Sequence, residues 1–232
     1  GYTDMAIATA GLLGYEFCKN FDFPYFAANI TDFWRRWHMS LSSWLRDYLY
    51  IPLGGNRGGT FFIYRNLMLT MVLGGLWHGA AWTFVIWGAL HGLALIAHRE
   101  WKRVVDGTVM ARLGVYVGTI ITFWWVCLAW IFFRATATIG SNGEKESAFN
   151  NAMTVCSSFV LFQSPGSQTV AVTGLVVVAG LAIVHWLAYR RVGHGVWERM
   201  PTWLFVIVFA SIVALALPWV PLRYTPFIYF QF

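Results

Sequence analysis

From Asn66 to Ala97 the chain runs thirty-two positions without Asp, Glu, Lys or Arg. One straight helix of that length reaches about 48 Å, well beyond the roughly 30 Å of a bilayer core, whereas two full spans need about 40 residues. Gly74, Gly75 and Gly79 interrupt the middle of the run. The pattern predicts a helix, a glycine-rich break and a second helix from about Trp82 to Ala97. Non-helical backbone at membrane depth persists only where it is buried in protein or lines a wet cavity. Three further apolar runs, about Leu113 to Phe133, Ala171 to Tyr189 and Trp203 to Leu222, read as membrane spans. Residues 5–15 are apolar too, but eleven residues fall short of a span and look like the end of a helix that begins earlier.

Residues 32–50 follow a different pattern. Trp34, Trp37, Leu41, Trp44 and Tyr48 fall at i, i+3, i+7, i+10 and i+14, with Asp32, Arg36, Ser43 and Asp47 opposite. That spacing predicts one amphipathic helix lying at the membrane interface, capped by Thr31 or Asp32 and ended near Ile51-Pro52. Gly54-Gly55-Asn56-Arg57-Gly58-Gly59 then reads as a flexible turn. Ser147 to Phe162 forms a weaker amphipathic stretch, expected as a helix resting on the membrane surface.

Composition strengthens the membrane reading. The 232 residues are 58% hydrophobic and only 11% charged, against about 25% charged in a soluble domain. Fourteen Trp supply interface anchors. The fold class expected is therefore all-α, a polytopic transmembrane bundle with interfacial and broken helices. The net charge of +6 belongs to loops rather than to a basic face, which excludes a nucleic-acid partner. Arg99, Lys102, Arg103 and Arg112 mark one loop as cytoplasmic; Arg190, Arg191 and Arg199 mark another. Five arginines between Arg35 and Arg65 place that stretch on the same side. The segment 66–97 must then enter and return as a broken hairpin with His78 near its tip, and the C-terminus falls outside. Cys18, Cys127 and Cys156 show no metal-ligand spacing and read as apolar fillers. The start, Gly1-Tyr-Thr-Asp4, has no Met and no signal peptide, and suggests a piece of something longer. No internal repeat of the transporter kind is visible.

Candidate chemistry rests on histidines. An ionisable side chain in hydrocarbon is expensive and is by default a functional hypothesis. His78, in Leu73-Gly-Gly-Leu-Trp-His-Gly79, follows two glycines that allow close backbone approach. His38 sits at the edge of the aromatic stripe. His91 is expected to hydrogen-bond a neighbouring helix, and His98, His185 and His194 to serve as polar tips near span ends. No H-E-x-x-H is present and no acidic or Cys partner stands at ligand spacing from His78, so no metal is expected. The glycine turn lacks the Lys-Ser/Thr ending of a phosphate-binding loop; a weaker reading has Arg57 and exposed N–H groups holding an anionic group.

The run Thr31-Asp-Phe-Trp-Arg-Arg-Trp-His-Met-Ser-Leu-Ser-Ser-Trp-Leu-Arg-Asp-Tyr-Leu-Tyr-Ile-Pro-Leu-Gly-Gly-Asn56 resembles the signature of the membrane-bound O-acyltransferases, in the bacterial branch that holds alginate O-acetyltransferases. Leu73-Gly-Gly-Leu-Trp-His-Gly-Ala80 resembles the family segment with its invariant catalytic histidine. Gly1 to Ile7 and Phe227 to Phe232 look like the same branch. The likeness covers the C-terminal portion of such a protein and lacks its N-terminal helices, so this stretch alone is expected to be inactive.

The resemblance implies transfer of an acetyl or other acyl group from acetyl-CoA or another thioester, with no permanently bound cofactor. The acceptor is a hydroxyl of an extracytoplasmic polysaccharide or carrier. It further implies periplasmic hydrolase-like partners and a bacterial inner-membrane location. His78 matches the invariant position; His38 matches a second conserved position that is Asn in many eukaryotic relatives. The expected roles are His78 as base, His38 orienting substrate or donor, and Arg57 toward the donor's phosphates. A multi-span transporter and a polysaccharide-export subunit are the rival readings.

Overall fold

A computed structural model describes residues 2–105, 108–135, 138–139, 145–162, 172–192, 195 and 199–216. The closing block Phe227–Phe232, His194, the last part of the third expected span and the side of the C-terminus lie outside the described residues. Regular structure in the described residues is helical apart from a two-residue antiparallel ladder, Thr138–Ile139 against Lys145–Glu146. Two compact units are present, Gly1–Gly166 and Ser167–Phe232.

The first unit holds α1 (Tyr2–Leu12), α2 (Ile30–Arg36), α3 (Met39–Leu45), α4 (Thr60–His78), α5 (Trp82–Val105), α6 (Val109–Arg134) and α7 (Ala148–Leu161). The single helix expected over 32–50 is instead three pieces. α2 stops at Trp37, α3 starts after His38, and a π-helical turn spans Arg46–Tyr50. The reason is a set of partners from the preceding segment. Arg36 O accepts from the Asp22 amide at 2.9 Å, and the Met39 amide donates to Asn20 O at 2.9 Å. The Ser40 amide donates to Asn20 Oδ1, also at 2.9 Å. Those bonds satisfy helix ends that a continuous helix would satisfy internally. The cap also differs from expectation: Asn29 Oδ1 accepts from the Asp32 amide at 2.8 Å, while the Asp32 carboxylate pairs with Arg36 Nε at 3.0 Å.

α4 and α5 form an antiparallel hairpin around Gly79–Ala81, and glycine sets their separation. A Cβ at Gly75 would lie 2.3 Å from Phe84 O, and one at Gly88 would lie 2.3 Å from Met71 O. The two backbones therefore touch, as small residues permit between membrane helices. The glycine turn expected to be flexible is latched. The buried Asn66 donates to Gly55 O at 3.2 Å, Arg65 donates to Leu53 O at 3.3 Å, and Arg99 donates to Asn56 Oδ1 at 3.1 Å.

The core has two clusters. Ala27, Ile30, Phe33 and Val126 form one; Trp87, Ala129, Phe132 and Ala152 form the other. Trp34 packs against both. Ala152 brings α7 onto α5 and α6, so the amphipathic stretch at 147–162 buries its small face against protein. Val117–Arg134 of α6 is the one described helix long and apolar enough to cross a membrane. Its Ile120 and Ile121 face outward, which suits lipid and not water. The second unit holds α8 (Val172–Tyr189) and α9 (Thr202–Ala216), both apolar and both with exposed aliphatic side chains.

Candidate active site

His78 is the last residue of α4, where Gly79 closes the helix by donating to Leu76 O at 3.1 Å. Only 9% of its surface is exposed. Its ring stands among aromatic rings from three helices: Phe133 at 5.0 Å, Trp77 at 5.1 Å, Trp87 at 5.4 Å and Phe84 at 6.2 Å between centroids. Those rings fix the imidazole's position and keep bulk water from it.

His38 occupies the bend between α2 and α3 in the left-handed conformation, φ 43° and ψ 59°. A non-glycine residue there carries strain of order 1–3 kcal/mol, held only where the surroundings impose it. Here the bend is braced by Asn20, and the His38 side chain caps α3: Nδ1 accepts from the Leu41 amide at 3.4 Å. Half-burial holds this imidazole below its ordinary value of 6.5. A neutral ring whose Nδ1 accepts must carry its proton on Nε2. In that form His38 presents an N–H donor at Nε2.

The ring of His38 packs edge to face with Phe21 at 5.8 Å, and Phe21 with Trp37 at 4.8 Å. The run of touching rings continues to His78: Trp37 to Trp130 at 5.1 Å, Trp130 to Phe133 at 5.0 Å, and Phe133 to His78. Beside Trp77 lies an apolar cleft of about 150 Å³ walled by Leu41, Trp44, Leu45, Leu49 and Leu73. Arg57 is not part of this cluster. It is exposed, just ahead of α4, while His78 ends that helix of 19 residues, so roughly 28 Å of helix separates them.

His91 is expected to hydrogen-bond a neighbouring helix, and its Nδ1 does not do so. The residue is 2% exposed, and that nitrogen has no hydrogen-bond partner among the described residues. Aromatic rings of Phe33, Trp34 and Trp87 surround the imidazole. Among the described residues no three His, Cys, Asp or Glu side chains gather as metal ligands.

Reading the sequence missed Trp87 and Phe133 as walls of the His78 site and Asn20 as the brace of His38. Only the i, i+4 spacing of Trp87 and His91 within the uncharged run 66–97 gave a signal for the first. Nothing local signals the other two, because each acts on a distant element.

Residues 1–139 match the membrane-bound O-acyltransferase family. A probable alginate O-acetylase of Pseudomonas aeruginosa is 53% identical over 135 residues, 58% of this chain and 25% of that relative. A peptidoglycan O-acetyltransferase of Helicobacter pylori is 50% identical over 135 residues, again 58% and 25%. A teichoic acid D-alanyltransferase of Bacillus subtilis is 30% identical over 143 residues, 57% and 36%. The matched stretch thus spans between a quarter and somewhat over a third of these curated relatives' length.

Proposed function

Since the chain belongs to the membrane-bound O-acyltransferase family, we propose that the whole protein transfers an acyl group, acetyl above all, from a cytoplasmic thioester to an extracytoplasmic glycan hydroxyl. The aromatic enclosure of His78 at the tip of the α4–α5 hairpin, joined by a run of touching rings to Trp37 and His38, carries this reading. A hydroxyl attacking a thioester must lose its proton as the new bond forms, and a neutral imidazole is the side chain matched to that task. His78 takes that proton and returns it to the departing thiolate. His38, a donor at Nε2, holds an oxygen of donor or acceptor in line. The cleft beside Trp77 suits a short acyl group. Arg57, at the other end of α4, meets the donor's phosphates, which lie at the far end of an extended thioester cofactor.

The names of the more similar relatives point to the acceptor class. Two that are half identical to this chain are named for alginate and peptidoglycan acetylation, so an exported polysaccharide is the expected acceptor. Periplasmic hydrolase-like partners and an inner-membrane location complete the proposal. In the full-length protein, His78→Ala is expected to lower acetyl transfer from radiolabelled acetyl-CoA by about 10²–10⁴-fold, the typical share of general-base assistance. Transfer at the parent's rate rejects the assignment.

A further inference from the structure

We propose that His91 is a positioning residue that acts on His78 through the indole of Trp87; this rests on the reading of His78 as the base. Trp87 and His91 stand one turn apart on the same face of α5. The Trp87 ring touches both histidines, at 5.4 Å from His78 and 4.9 Å from His91. His91 is itself boxed: face to face with Phe33 at 6.0 Å and 8°, edge-on to Trp34 at 5.1 Å and 78°, and edge-on to Trp87 at 68°.

Packing alone does not select histidine for that box. A phenyl ring fills the same slot without burying a polar nitrogen, and His91 Nδ1 is buried with no hydrogen-bond partner among the described residues. What the imidazole adds is a polar, polarisable ring set at 68° to the indole, an attraction with a preferred angle. That contact fixes the tilt of Trp87, which is 4% exposed and has no room to turn freely. Trp87 is in turn one wall of the His78 ring, with Phe133 contacting both at 5.3 Å and 5.0 Å. A misplacement of about 1 Å at a reacting group can cost about a hundredfold in rate, so a wall set by a weak directional contact still matters to turnover.

The test is a double-mutant cycle in the full-length membrane protein, read as kcat and KM for donor and acceptor. His91→Phe is expected to lower kcat about tenfold with each KM changed less than about twofold and equal amounts of folded protein. Trp87→Phe lowers kcat as well, and the pair together is no worse than the more damaging single change, since both act along one route. Parent-level kcat in His91→Phe, or losses that multiply in the double variant, overturns the proposal. If His91→Phe does not accumulate, His91→Leu, which also removes the ring's polar character at similar volume, takes its place in the cycle under the same criteria. Activity surviving in His78→Ala defeats the base assignment itself; an inert His78→Ala beside a fully active His91→Phe defeats only the role of His91.

Discussion

His38 combines two demands that few side chains meet, a left-handed backbone and a cap for α3. Asn meets both, because it tolerates that conformation and its side-chain oxygen caps helices. It also retains an N–H donor. His38→Asn is therefore expected to keep the fold within about 0.5 kcal/mol and to retain part of the activity. His38→Val loses the cap and forces a β-branched residue into the left-handed region, a cost of about 1–3 kcal/mol. Thermal unfolding of the purified protein in detergent checks both; equal melting of the two variants counts against the capping role. His38 also sets an acid-side slope. Its folded-state value lies below 6.5, so the unfolded chain takes up the proton first. Stability is undiminished above pH 6.5 and falls as pH drops below it toward the folded-state value. His38→Asn removes that component, and an unchanged slope in the variant contradicts it.

Among elements, the α4–α5 hairpin decides the site, because it delivers His78 and Trp87 to one place. Glycine at the crossing is a packing requirement. Gly88→Ala places a Cβ against the Met71 carbonyl; backbone cannot yield there as a side chain does, so the helices must part. The expected loss is more than about 2 kcal/mol. Gly180 on α8 has nothing within 4 Å of a built Cβ, and Gly180→Ala is expected to stabilise that helix by about 0.5–1 kcal/mol. Melting temperatures moving in opposite directions would support the distinction; a harmless Gly88→Ala would refute it. The hairpin was legible in the chain, through an uncharged run broken by glycine. The bend at His38 was not, because the aromatic stripe of 32–50 stays in phase across it while the bonds that cause it come from Asn20 and Asp22.

Across the first unit, the ends of the hairpin remote from His78 converge. Arg65 of α4 and Arg99 of α5 both reach the loop 53–56, one at Leu53 and the other at Asn56. Those ends are therefore expected to share one side of a bilayer, with His78 at the tip of the hairpin. Single cysteines at positions 65 and 99 of an otherwise cysteine-free full-length protein are expected to react with an impermeant reagent from the same side. Labelling from opposite sides excludes the hairpin topology. The latch adds a second expectation: Asn56→Ala removes the acceptor shared by Tyr50 and Arg99 and loosens the loop that carries Arg57. The donor KM is expected to rise more than the acceptor KM; an unchanged donor KM removes Arg57 from the phosphate site.

The chain by itself determined the helical class, the broken apolar run and the histidine-bearing blocks that tie it to its family. These are local signals: charge-free length, glycine interruption and residue order, each contained in a few tens of residues. Tertiary structure alone decided that a run of aromatic rings joins His38 to His78 while Arg57 stands a helix length away, and that His91 lies in an aromatic box. It also decided that the 32–50 segment bends where it does. Those outcomes depend on contacts between distant elements, set by close glycine approach and by bonds from Asn20, Asp22 and Arg99. Periodicity reports which face of a helix is apolar; it carries no information on which other helix that face will touch.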